Sequence, residues 1–529
     1  MATTKKTNTK KIETKVEKVK SAENKQNKEE VNKIKPETAH TEEVKPVEIE
    51  VRRKTKIAFV ASEANPFAGT GGLADVIGSL PKALALNPDF DVRVIMPLYG
   101  AVSKEWREKF TFEGNYNVAL AWRNQYCGLF SYKYQGVTFY FIDNEYYFAR
   151  NGLYGHYDDG ERFAFFSKAA IDTLGYVDFF PDILHAHDWQ AALSVIYLKT
   201  LYSDRFRFSE IKTVFTIHNI EYQGKYGTEN LQDLFGLPEY CTPYVTYDGC
   251  INLMKGAIVY SNHTTTVSPT YSREIKNAYF AHGLEYCTNM YGYKISGILN
   301  GIDTDLYSAE KDDKIIANYS ADDFSGKAKC KKGLQEMLNL PVKDVPILAI
   351  ISRLVEHKGF DLVKCVMEEI LSEDVQFVIL GTGDSYYQDY FKYIADKYSG
   401  KCRMIAAYNK DLSSKIYSGA DIFIMPSKQE PCGLSQMIAC RYATIPVVRR
   451  TGGLNDSITS FNNGNRIDEG IGFTFDNFNA HEMLYVIKDA IFTYGNKEVW
   501  TNLMKRAINT DFSWNKSAGE YERLYKNLK

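Results

Sequence analysis

Two cations lie five residues apart in the second half of this sequence, directly after an apolar segment. Arg353 and Lys358 follow residues 346–351. If that segment is a strand of a parallel sheet, both cations lie beyond its carboxyl end, where ligands bind in such sheets. An Arg/Lys pair there suits a diphosphate, since both side chains donate charge-assisted hydrogen bonds. Taken alone, such a pair is more typical of two surface cations without a ligand.

An acidic loop follows a later apolar segment, residues 422–425. Glu430 lies in this loop, whose sequence is PSKQEPCGL over residues 426–434. A carboxylate at the end of a parallel strand suits sugar hydroxyls, which donate hydrogen bonds to it. It also supports positive charge that develops at an anomeric carbon.

The tetrapeptide TGGL occurs twice, at residues 70–73 and 451–454. Glycines let a backbone approach a ligand closely, and the helix that follows offers its first amides to phosphate or sugar oxygens. One such loop by itself equally predicts a tight strand-to-helix turn. Neither loop is GxGxxG or a Walker loop with its lysine, which disfavours dinucleotide and NTPase functions. One loop in each half of the chain predicts two half-sites that face each other across a cleft.

The segment HAHD places two histidines one residue apart, at His185 and His187. In an extended strand both rings share a face, while Asp188 points away. A metal is disfavoured because no third ligand follows nearby. One imidazole at a strand end suits a sugar hydroxyl or developing charge. The other is equally typical of a structural histidine.

Short apolar segments with strand length form two successive series, separated in several places by helical stretches. The pattern predicts an α/β protein with two doubly wound domains. The first series comprises residues 57–61, 92–98, 137–142, 183–185, 213–217 and 263–267, and the second 346–351, 375–380, 403–407, 422–425 and 445–448.

Composition limits the classes of partner. Residues 1–54 carry 15 Lys and Arg against 10 Glu, with no aromatic residue and no glycine. This predicts a disordered tail, either dispensable or a tether to an acidic partner. The remaining chain is net acidic, which disfavours nucleic acid. Nine scattered cysteines without a CxxC, and the lack of a secretory or membrane-spanning apolar run, predict a reduced, cytoplasmic protein without a membrane partner.

Taken in order, these motifs resemble the bacterial glycogen synthases and plant starch synthases, which are retaining glycosyltransferases of the GT-B fold. The resemblance runs from about Lys56 to the C-terminus. The motifs that carry it are SEANPF, TGGLADVIGSLPKAL, HAHDWQAAL, TIHNIEYQG, TTVSPTYSREI, GILNGID, ISRLVEHKG, GTGD, PSKQEPCGLSQM and RRTGGLNDSI.

The resemblance implies two Rossmann-like domains that face each other across a deep cleft. It implies an N-terminal, acceptor-side domain over residues 55–299 and a nucleotide-sugar-side domain over residues 300–506. Residues 507–529 would form a helix that crosses back to the first domain.

The resemblance also assigns roles to individual residues. Arg353 and Lys358 neutralise the departing diphosphate, Glu430 holds the donor glucose, and His187 lies beside it. Asp158 is similar to an active-site Asp, and Tyr408 to a residue that stacks near the adenine. The further donor-binding residues implied are Gly69, Thr70, Gly71, Gly72, Asp75, Gly383, Cys432, Gly433, Leu434, Thr451, Gly452 and Gly453.

The implied activity is transfer of glucose from ADP-glucose to the 4-hydroxyl of an α-1,4-glucan, with retention and with no metal or cofactor. One departure from the family pattern bears on the donor: Gly69 stands where the family has a lysine. This leaves two alternatives, a GT-B enzyme that uses UDP-glucose or another acceptor, and a weakly active glucan-binding paralogue. Lysine at position 69 is expected to improve the use of ADP-glucose, unless Gly69 has a positive φ.

Overall fold

The computed structural model describes residues 53–461 and 469–529. All but the last two residues of the predicted tail, residues 1–54, therefore lie outside the described residues. The strands are β1 Thr55–Val60, β2 Phe90–Pro97, β3 Thr111–Leu120, β4 Arg123–Tyr134, β5 Val137–Asp143, β6 Ile183–His187, β7 Lys212–Ile217, β8 Lys225–Tyr226, β9 Thr246–Tyr247, β10 Cys250–Asn252, β11 His263–Thr266, β12 Ile295–Gly297, β13 Ile347–Ile351, β14 Gln376–Leu380, β15 Cys402–Ile405, β16 Ile422–Met425, β17 Ile445–Arg449 and β18 Phe473–Phe475.

Helices separate most of the parallel strands, and three further single turns have 3₁₀ geometry. The helices are α1 Gly72–Ala85, α2 Lys104–Arg107, α3 Glu145–Phe148, α4 Asp159–Tyr176, α5 Asp188–Thr200, α6 Asn230–Asp233, α7 Thr242–Val245, α8 Leu253–Tyr260, α9 Pro269–Glu274, α10 Glu285–Met290, α11 Ser325–Met337, α12 Phe360–Ser372, α13 Ser385–Lys397, α14 Lys410–Gly419, α15 Ser435–Arg441, α16 Gly452–Ser457, α17 Ala480–Gly495, α18 Lys497–Asn509 and α19 Trp514–Leu528.

Two parallel-rich sheets form the cores of two lobes. The first has the order β12-β11-β7-β6-β1-β2-β5-β4-β3, and the second β15-β14-β13-β16-β17-β18. Residues 57–60 of β1 are fully buried, because helices cover both faces of a parallel sheet and its strands are apolar throughout. All eleven predicted strands are present, with ends shifted by at most two residues.

Each sheet has one point at which the strand order reverses. In the first sheet the order runs outward from β1 to β2 on one side and to β6 on the other. In the second sheet the reversal lies between β13 and β16. Ligands of doubly wound sheets bind beyond the carboxyl ends of the strands at such points. The two reversals therefore locate a candidate site in each lobe.

The sequence missed a long antiparallel hairpin. β3 and β4 pair from Leu120 and Arg123 outward and extend the first sheet at one edge. Much of β3 is exposed, so its polar residues alternate with apolar ones instead of forming a continuous apolar run. The prediction relied on apolar runs and gave no strand there. It also missed the small sheet β8-β10-β9 and the short edge strands β12 and β18.

The last helix, α19, packs against the first sheet. Tyr521 and Tyr525 are fully buried, and the Tyr525 hydroxyl lies 2.8 Å from Nδ1 of His185 in β6. Ser517 donates to the carbonyl of Leu299 at 2.5 Å. The C-terminal segment thus contributes to the N-terminal lobe as well as following the second lobe in sequence.

Candidate active site

A cavity of about 190 Å³ opens at the reversal point of the second sheet. Residues that follow β13 line one side of it, and residues that follow β16 line the other. Five of the predicted site residues line this cavity: Arg353, Lys358, Glu430, Gly433 and Leu434. The fold thus brings the two cations and the acidic loop into one place, although 72 residues separate Lys358 from Glu430.

Lys358 and Glu430 form an ion pair inside this cavity. The Lys358 Nζ lies 2.6 Å from Oε2 of Glu430, and the Ser427 hydroxyl donates to the same oxygen at 2.9 Å. Burial by itself would raise the pKa of the Glu430 carboxyl, but the Lys358 ammonium and the Ser427 hydrogen bond together hold that pKa below its ordinary value. Glu430 is therefore ionised at neutral pH although only 6% of it is exposed.

The backbone that places Lys358 depends on a glycine. Lys358 ends a 3₁₀ turn, and Gly359 follows with φ 78° as the residue before α12. A Cβ on Gly359 would lie 2.0 Å from the carbonyl oxygen of Pro426. Glycine is thus required by the left-handed φ and by the close approach of the loop that carries Glu430.

Arg353 differs from Lys358 in its exposure and in its contacts. Its side chain is exposed at the mouth of the cavity. Among the residues that the structure describes, none forms a hydrogen bond or ion pair with its guanidinium. Lys358 is thus held in place by its ion pair, whereas Arg353 is not. The Arg353 guanidinium keeps all its N–H donors for an anionic ligand.

The second TGGL loop packs directly against the loop that carries Glu430. Gly452 has φ 42°, and a Cβ on it would lie 1.9 Å from the Glu430 carbonyl oxygen. A Cβ on Gly453 would lie 2.1 Å from the carbonyl oxygen of Cys432. Both glycines are therefore explained by close packing of two loops. Cys432 is buried at their interface, and its thiol is free.

Helix α9 of the first lobe contacts this loop pair. The Glu274 carboxylate accepts hydrogen bonds from the Thr451 hydroxyl at 2.9 Å and from the Gly452 amide at 3.0 Å. Ser268 donates to the carbonyl of Pro431 at 2.6 Å. The Gly452 amide predicted to meet the donor is thus bonded to a carboxylate from the other lobe. A ligand anion that takes this amide has to displace Glu274.

The first TGGL loop has a similar arrangement. The Glu63 carboxylate accepts hydrogen bonds from the Thr70 amide at 2.5 Å and from the Thr70 hydroxyl at 2.8 Å. Gly71 and Gly72 are exposed, and a Cβ on either would contact nothing within 4 Å. This loop is open to solvent, and its two glycines leave room for a ligand.

Gly69 has a reason other than the one proposed from the sequence. Its φ is not in the left-handed region, but a Cβ at this position would lie 2.3 Å from the Cβ of Ala74 in α1. Ala74 is fixed by the helix backbone and cannot rotate away. The alternative that Gly69 has a positive φ is therefore contradicted, and a side chain at this position meets α1 instead. The expected gain in the use of ADP-glucose stays a prediction.

His187 ends β6 at the reversal point of the first sheet and is fully buried. Its Nδ1 lies 2.9 Å from Nε2 of His218, while its own Nε2 has no partner among the described residues. Burial and the neighbouring His185 and His218 hold the pKa of His187 well below its ordinary value. The ring is therefore neutral, with one nitrogen available. His185, by contrast, is bonded at both nitrogens, to Tyr525 and Thr216.

Asp158 is the residue before α4 and is engaged by Arg150. Two hydrogen bonds of 2.6 and 2.8 Å join the guanidinium to the carboxylate. Burial would raise the pKa of Asp158, but the Arg150 hydrogen bonds and charge hold it below its ordinary value. The carboxylate is therefore ionised and oriented.

The other predicted donor residues lie around these loops. Asp75 in α1 accepts from Asn65 at 2.7 Å, and burial raises its pKa. Tyr408 follows β15 and is 82% exposed, so its ring is open for stacking. A Cβ on Gly383 would lie 2.2 Å from the Leu354 carbonyl oxygen, so its glycine is explained by strand-end packing. None of these three residues lines the Lys358 cavity.

The sequence missed two acidic residues of the half-sites and one buried hydroxyl that follows β2. Glu63 and Glu274 bind the two TGGL loops, and the hydroxyl of Tyr99 is buried without a partner among the described residues. Glu63 and Glu274 lie inside the motifs SEANPF and TTVSPTYSREI, so the acidic residue in each motif is the signal that the sequence contains. Tyr99 gave no signal in sequence, since a single Tyr after a strand is common.

Residues 53–461 and 469–529 contain no cluster of three or more His, Cys, Asp or Glu arranged to hold a metal ion. In the same part of the chain, no helix is long and apolar enough to cross a bilayer.

Comparison with known proteins gives consistent matches over nearly the whole described chain. Residues 56–290 match the family model of the starch synthase catalytic domain, and residues 338–480 match that of glycosyl transferases group 1. The glycogen synthase of Bacillus cereus strain ATCC 10987 is 46% identical over 475 residues, which cover 89% of this chain and 99% of the relative. The glycogen synthase of Anoxybacillus flavithermus is 45% identical over 476 residues, covering 89% and 98%.

Solved structures of glycosyltransferases also match this chain. The catalytic domain of starch synthase IV from Arabidopsis thaliana, bound to ADP and acarbose, is 33% identical with a TM-score of 0.83, and covers 90% of this chain and 99% of that one. A sucrose-phosphate synthase from Thermosynechococcus elongatus, at 16% identity and a TM-score of 0.56, shares the fold.

Proposed function

This chain belongs to the glycogen synthase family and is a hexosyltransferase of the GT-B fold, and from that premise we propose that it transfers glucose from ADP-glucose to the non-reducing 4-hydroxyl of an α-1,4-glucan with retention of configuration. The observation that carries the proposal is the Arg353–Lys358–Glu430 cluster at the reversal point of the second sheet. The predictions of family and fold made from the sequence are confirmed by these comparisons.

The cluster accounts for the departure of the nucleoside diphosphate. Negative charge develops on the bridging oxygen as the bond from the anomeric carbon to the diphosphate breaks. Cations already fixed beside that oxygen stabilise the charge without reorganising. Lys358 meets this condition, because Glu430 fixes its ammonium at 2.6 Å. Arg353, which has no partner among the described residues, is ordered by the phosphates that it binds. Because two cations neutralise the leaving group, we propose that transfer requires no metal ion or other cofactor.

Glu430 and His187 serve the glucose. The ionised Glu430 carboxylate accepts hydrogen bonds from glucose hydroxyls and favours the positive charge that develops at the anomeric carbon. The His187 ring is neutral, and its Nε2 has no partner among the described residues. This suits a hydrogen bond with a hydroxyl and not a charge contact. The acceptor 4-hydroxyl enters on the face from which the diphosphate leaves, and this gives retention.

The donor nucleotide is the finer part of the proposal. ADP is the nucleotide bound in the Arabidopsis starch synthase IV structure, and Tyr408 offers an exposed ring for an adenine. The free thiols of all nine cysteines support a reducing, cytoplasmic setting for the reaction. The alternative donor is UDP-glucose, which Gly69 favours because the lysine of the family is missing.

A direct comparison of donors tests the proposal. Purified protein is given glycogen with either ADP-glucose or UDP-glucose, and glucose incorporation is measured as kcat/KM. We expect ADP-glucose to be preferred by at least about tenfold, a difference of about 1.4 kcal/mol in transition-state binding. Preference for UDP-glucose would overturn the donor assignment, and absence of transfer from both would overturn the activity. Added EDTA is expected to leave the rate unchanged.

A further inference from the structure

An exposed indole lies at the tip of the β3–β4 hairpin. Trp122 is 73% exposed and follows Ala121, whose φ is 51°. The other four tryptophans of the chain are buried or partly buried. An exposed Trp forgoes the large burial free energy of its ring. Trp122 is therefore the one indole available to a partner.

The ring of Trp122 is held in one orientation although it is exposed. Its Nε1–H donates to Oδ1 of Asp233 at 2.9 Å. The guanidinium carbon of Arg123 lies 4.3 Å from the ring centroid, a cation–π contact that supports the ring. A side chain held before binding loses less conformational entropy when a ligand stacks on it.

The support under the ring connects it to the candidate active site. Arg123 donates to the carbonyl of Asp233 at 2.6 Å and forms an ion pair of 3.0 Å with Glu161. Glu161 lies in the first turn of α4, three residues after Asp158. Two side-chain contacts therefore join Trp122 to the helix end that presents Asp158. A glucan bound near Asp158 can therefore meet the Trp122 ring on the same lobe.

The chemistry beside the ring suits a sugar. The Asp233 side chain is 67% exposed, so its carboxylate keeps acceptor capacity for hydroxyl groups after it binds the indole. Asn124, the second residue of β4, is exposed and adds an amide. The single positive charge of Arg123 is shared by the carboxylates of Glu161 and Asp233, which disfavours an anionic ligand. An apolar ring face with adjacent hydroxyl acceptors matches the two faces of a glucosyl unit.

We propose that Trp122 and Asp233 form a secondary binding site for a glucosyl unit of the acceptor α-1,4-glucan, remote from its reacting end. The inference rests on the proposed function, because the α-1,4-glucan is the acceptor in that proposal. A second contact on the same polymer raises the effective concentration of chain ends at the active site. Long glucans gain from the contact, whereas an acceptor too short to span both sites does not.

Binding to glycogen and to maltotriose tests the proposal. Glycogen affinity is measured by affinity electrophoresis for the wild type, Trp122→Ala and Trp122→Phe. The control is Phe492→Ala, which removes another exposed ring (84%) from α17. We expect Trp122→Ala to weaken glycogen binding about three- to tenfold, as the loss of one aromatic contact does. Trp122→Phe is expected to retain most of the affinity, and Phe492→Ala all of it.

Kinetics separate this site from the active site. Trp122→Ala is expected to raise KM for glycogen while kcat and the KM for maltotriose stay unchanged. Unchanged glycogen binding in Trp122→Ala, or equal losses with glycogen and maltotriose, would overturn the secondary site. If Trp122→Ala fails to fold, Asp233→Ala, which removes the hydrogen-bond acceptor of the indole, is expected to weaken glycogen binding and leave the KM for maltotriose unchanged. Trp122-dependent glycogen binding without any glucose transfer by the wild type would support the site and overturn the proposed function.

Discussion

At the scale of single residues, the Lys358–Glu430 pair combines two functions. It fixes a cation beside the leaving group, and it keeps a carboxylate ionised in a buried place. Each partner depends on the other, since removing one leaves an uncompensated buried charge. A variant of either residue is therefore expected to affect both rate and stability, and the measurements have to separate the two.

Removing either cation is expected to slow the reaction. Lys358→Ala should lower kcat by about 10²-fold or more, as the loss of a contact to transition-state charge commonly does. Arg353→Ala should lower kcat/KM as well, and with little loss of thermal stability, because Arg353 has no protein partner among the described residues. Lys392→Ala, an exposed lysine of α13, is the control. Near-normal turnover in both site variants would remove the cations from the mechanism.

Acid should weaken the stabilisation that Glu430 provides. Its pKa in the folded protein is below the ordinary value of 4.5. The stabilisation is therefore complete above pH 4.5 and is lost as the pH falls through the folded pKa. The difference in Tm between the wild type and Glu430→Gln is expected to be constant near neutral pH and to narrow below about pH 4.5.

The exposed Glu108 supplies the control for this titration. Glu108→Gln should show little difference in Tm from the wild type at any pH, because exposed ion pairs contribute little. A gap between the wild type and Glu430→Gln that widens in acid would contradict the sign of the Glu430 pKa shift.

At the scale of elements, the two TGGL loops are similar in sequence and different in packing. Glycine is required at 452 and 453, because a Cβ at either position would lie within 2.1 Å of a carbonyl oxygen of the Glu430 loop. A Cβ on Gly71 or Gly72 would have no atom within 4 Å. The second loop therefore supports the Glu430 loop, and the first is the one with space for a ligand. In both loops a glutamate binds the backbone amide, and a bound anion would compete with it.

Lysine at position 69 is expected to fit only after Ala74 is made smaller. Gly69→Lys and Gly69→Ala should both lower Tm and kcat/KM, because any Cβ there lies 2.3 Å from that of Ala74. Adding Ala74→Gly, which costs about 1 kcal/mol in a helix, removes this contact. The double variant Gly69→Lys/Ala74→Gly should then use ADP-glucose better than Ala74→Gly alone, by up to about tenfold for one charge-assisted contact.

Differential scanning fluorimetry and donor kinetics on these variants decide the matter. If Gly69→Lys alone is as stable as the wild type, the loop moves freely and the contact with α1 is not the reason for glycine. If the double variant is stable but its kcat/KM for ADP-glucose does not rise, a lysine at position 69 makes no useful contact with the donor in this chain.

The sequence predicted the elements that carry apolar runs and missed those that do not. Buried parallel strands such as β13 and β16 are continuous apolar segments, and the residues after them were identified as site residues. The β3–β4 hairpin was missed because polar and apolar residues alternate along β3. The position of Trp122 at its tip was missed for the same reason. Contacts between side chains and loops could not be predicted from the sequence. No sequence pattern shows that Glu274 binds Gly452 from the other lobe, or that Ala74 lies against Gly69.

At the scale of the whole molecule, two lobes meet at the loops that carry the chemistry. α9 of the first lobe bonds to the second TGGL loop, and α19 packs on the first sheet after the chain has completed the second. Residues 53–529 form one compact unit. The predicted site residues all lie in this unit, so the tail contributes none of them.

Deletion of residues 1–52 is expected to leave catalysis intact. The segment lacks aromatic residues and glycine, and a chain of this composition buries too little apolar area to complete a site. Turnover on maltotriose should remain within about twofold of the full chain. A large loss on maltotriose would show that the tail takes part in the site, whereas a loss only on glycogen would identify it as a tether.

The structure of the product tests the proposed glucosyl transfer most directly. The protein is incubated with ADP-glucose labelled with ¹³C at C1 and with maltotriose, and the new linkage is identified by NMR. We expect the wild type to form an α-1,4 bond from the labelled C1, and Lys358→Ala to form it about 10²-fold more slowly. A β-linkage, a bond to another hydroxyl, or an equal yield from both proteins would contradict it.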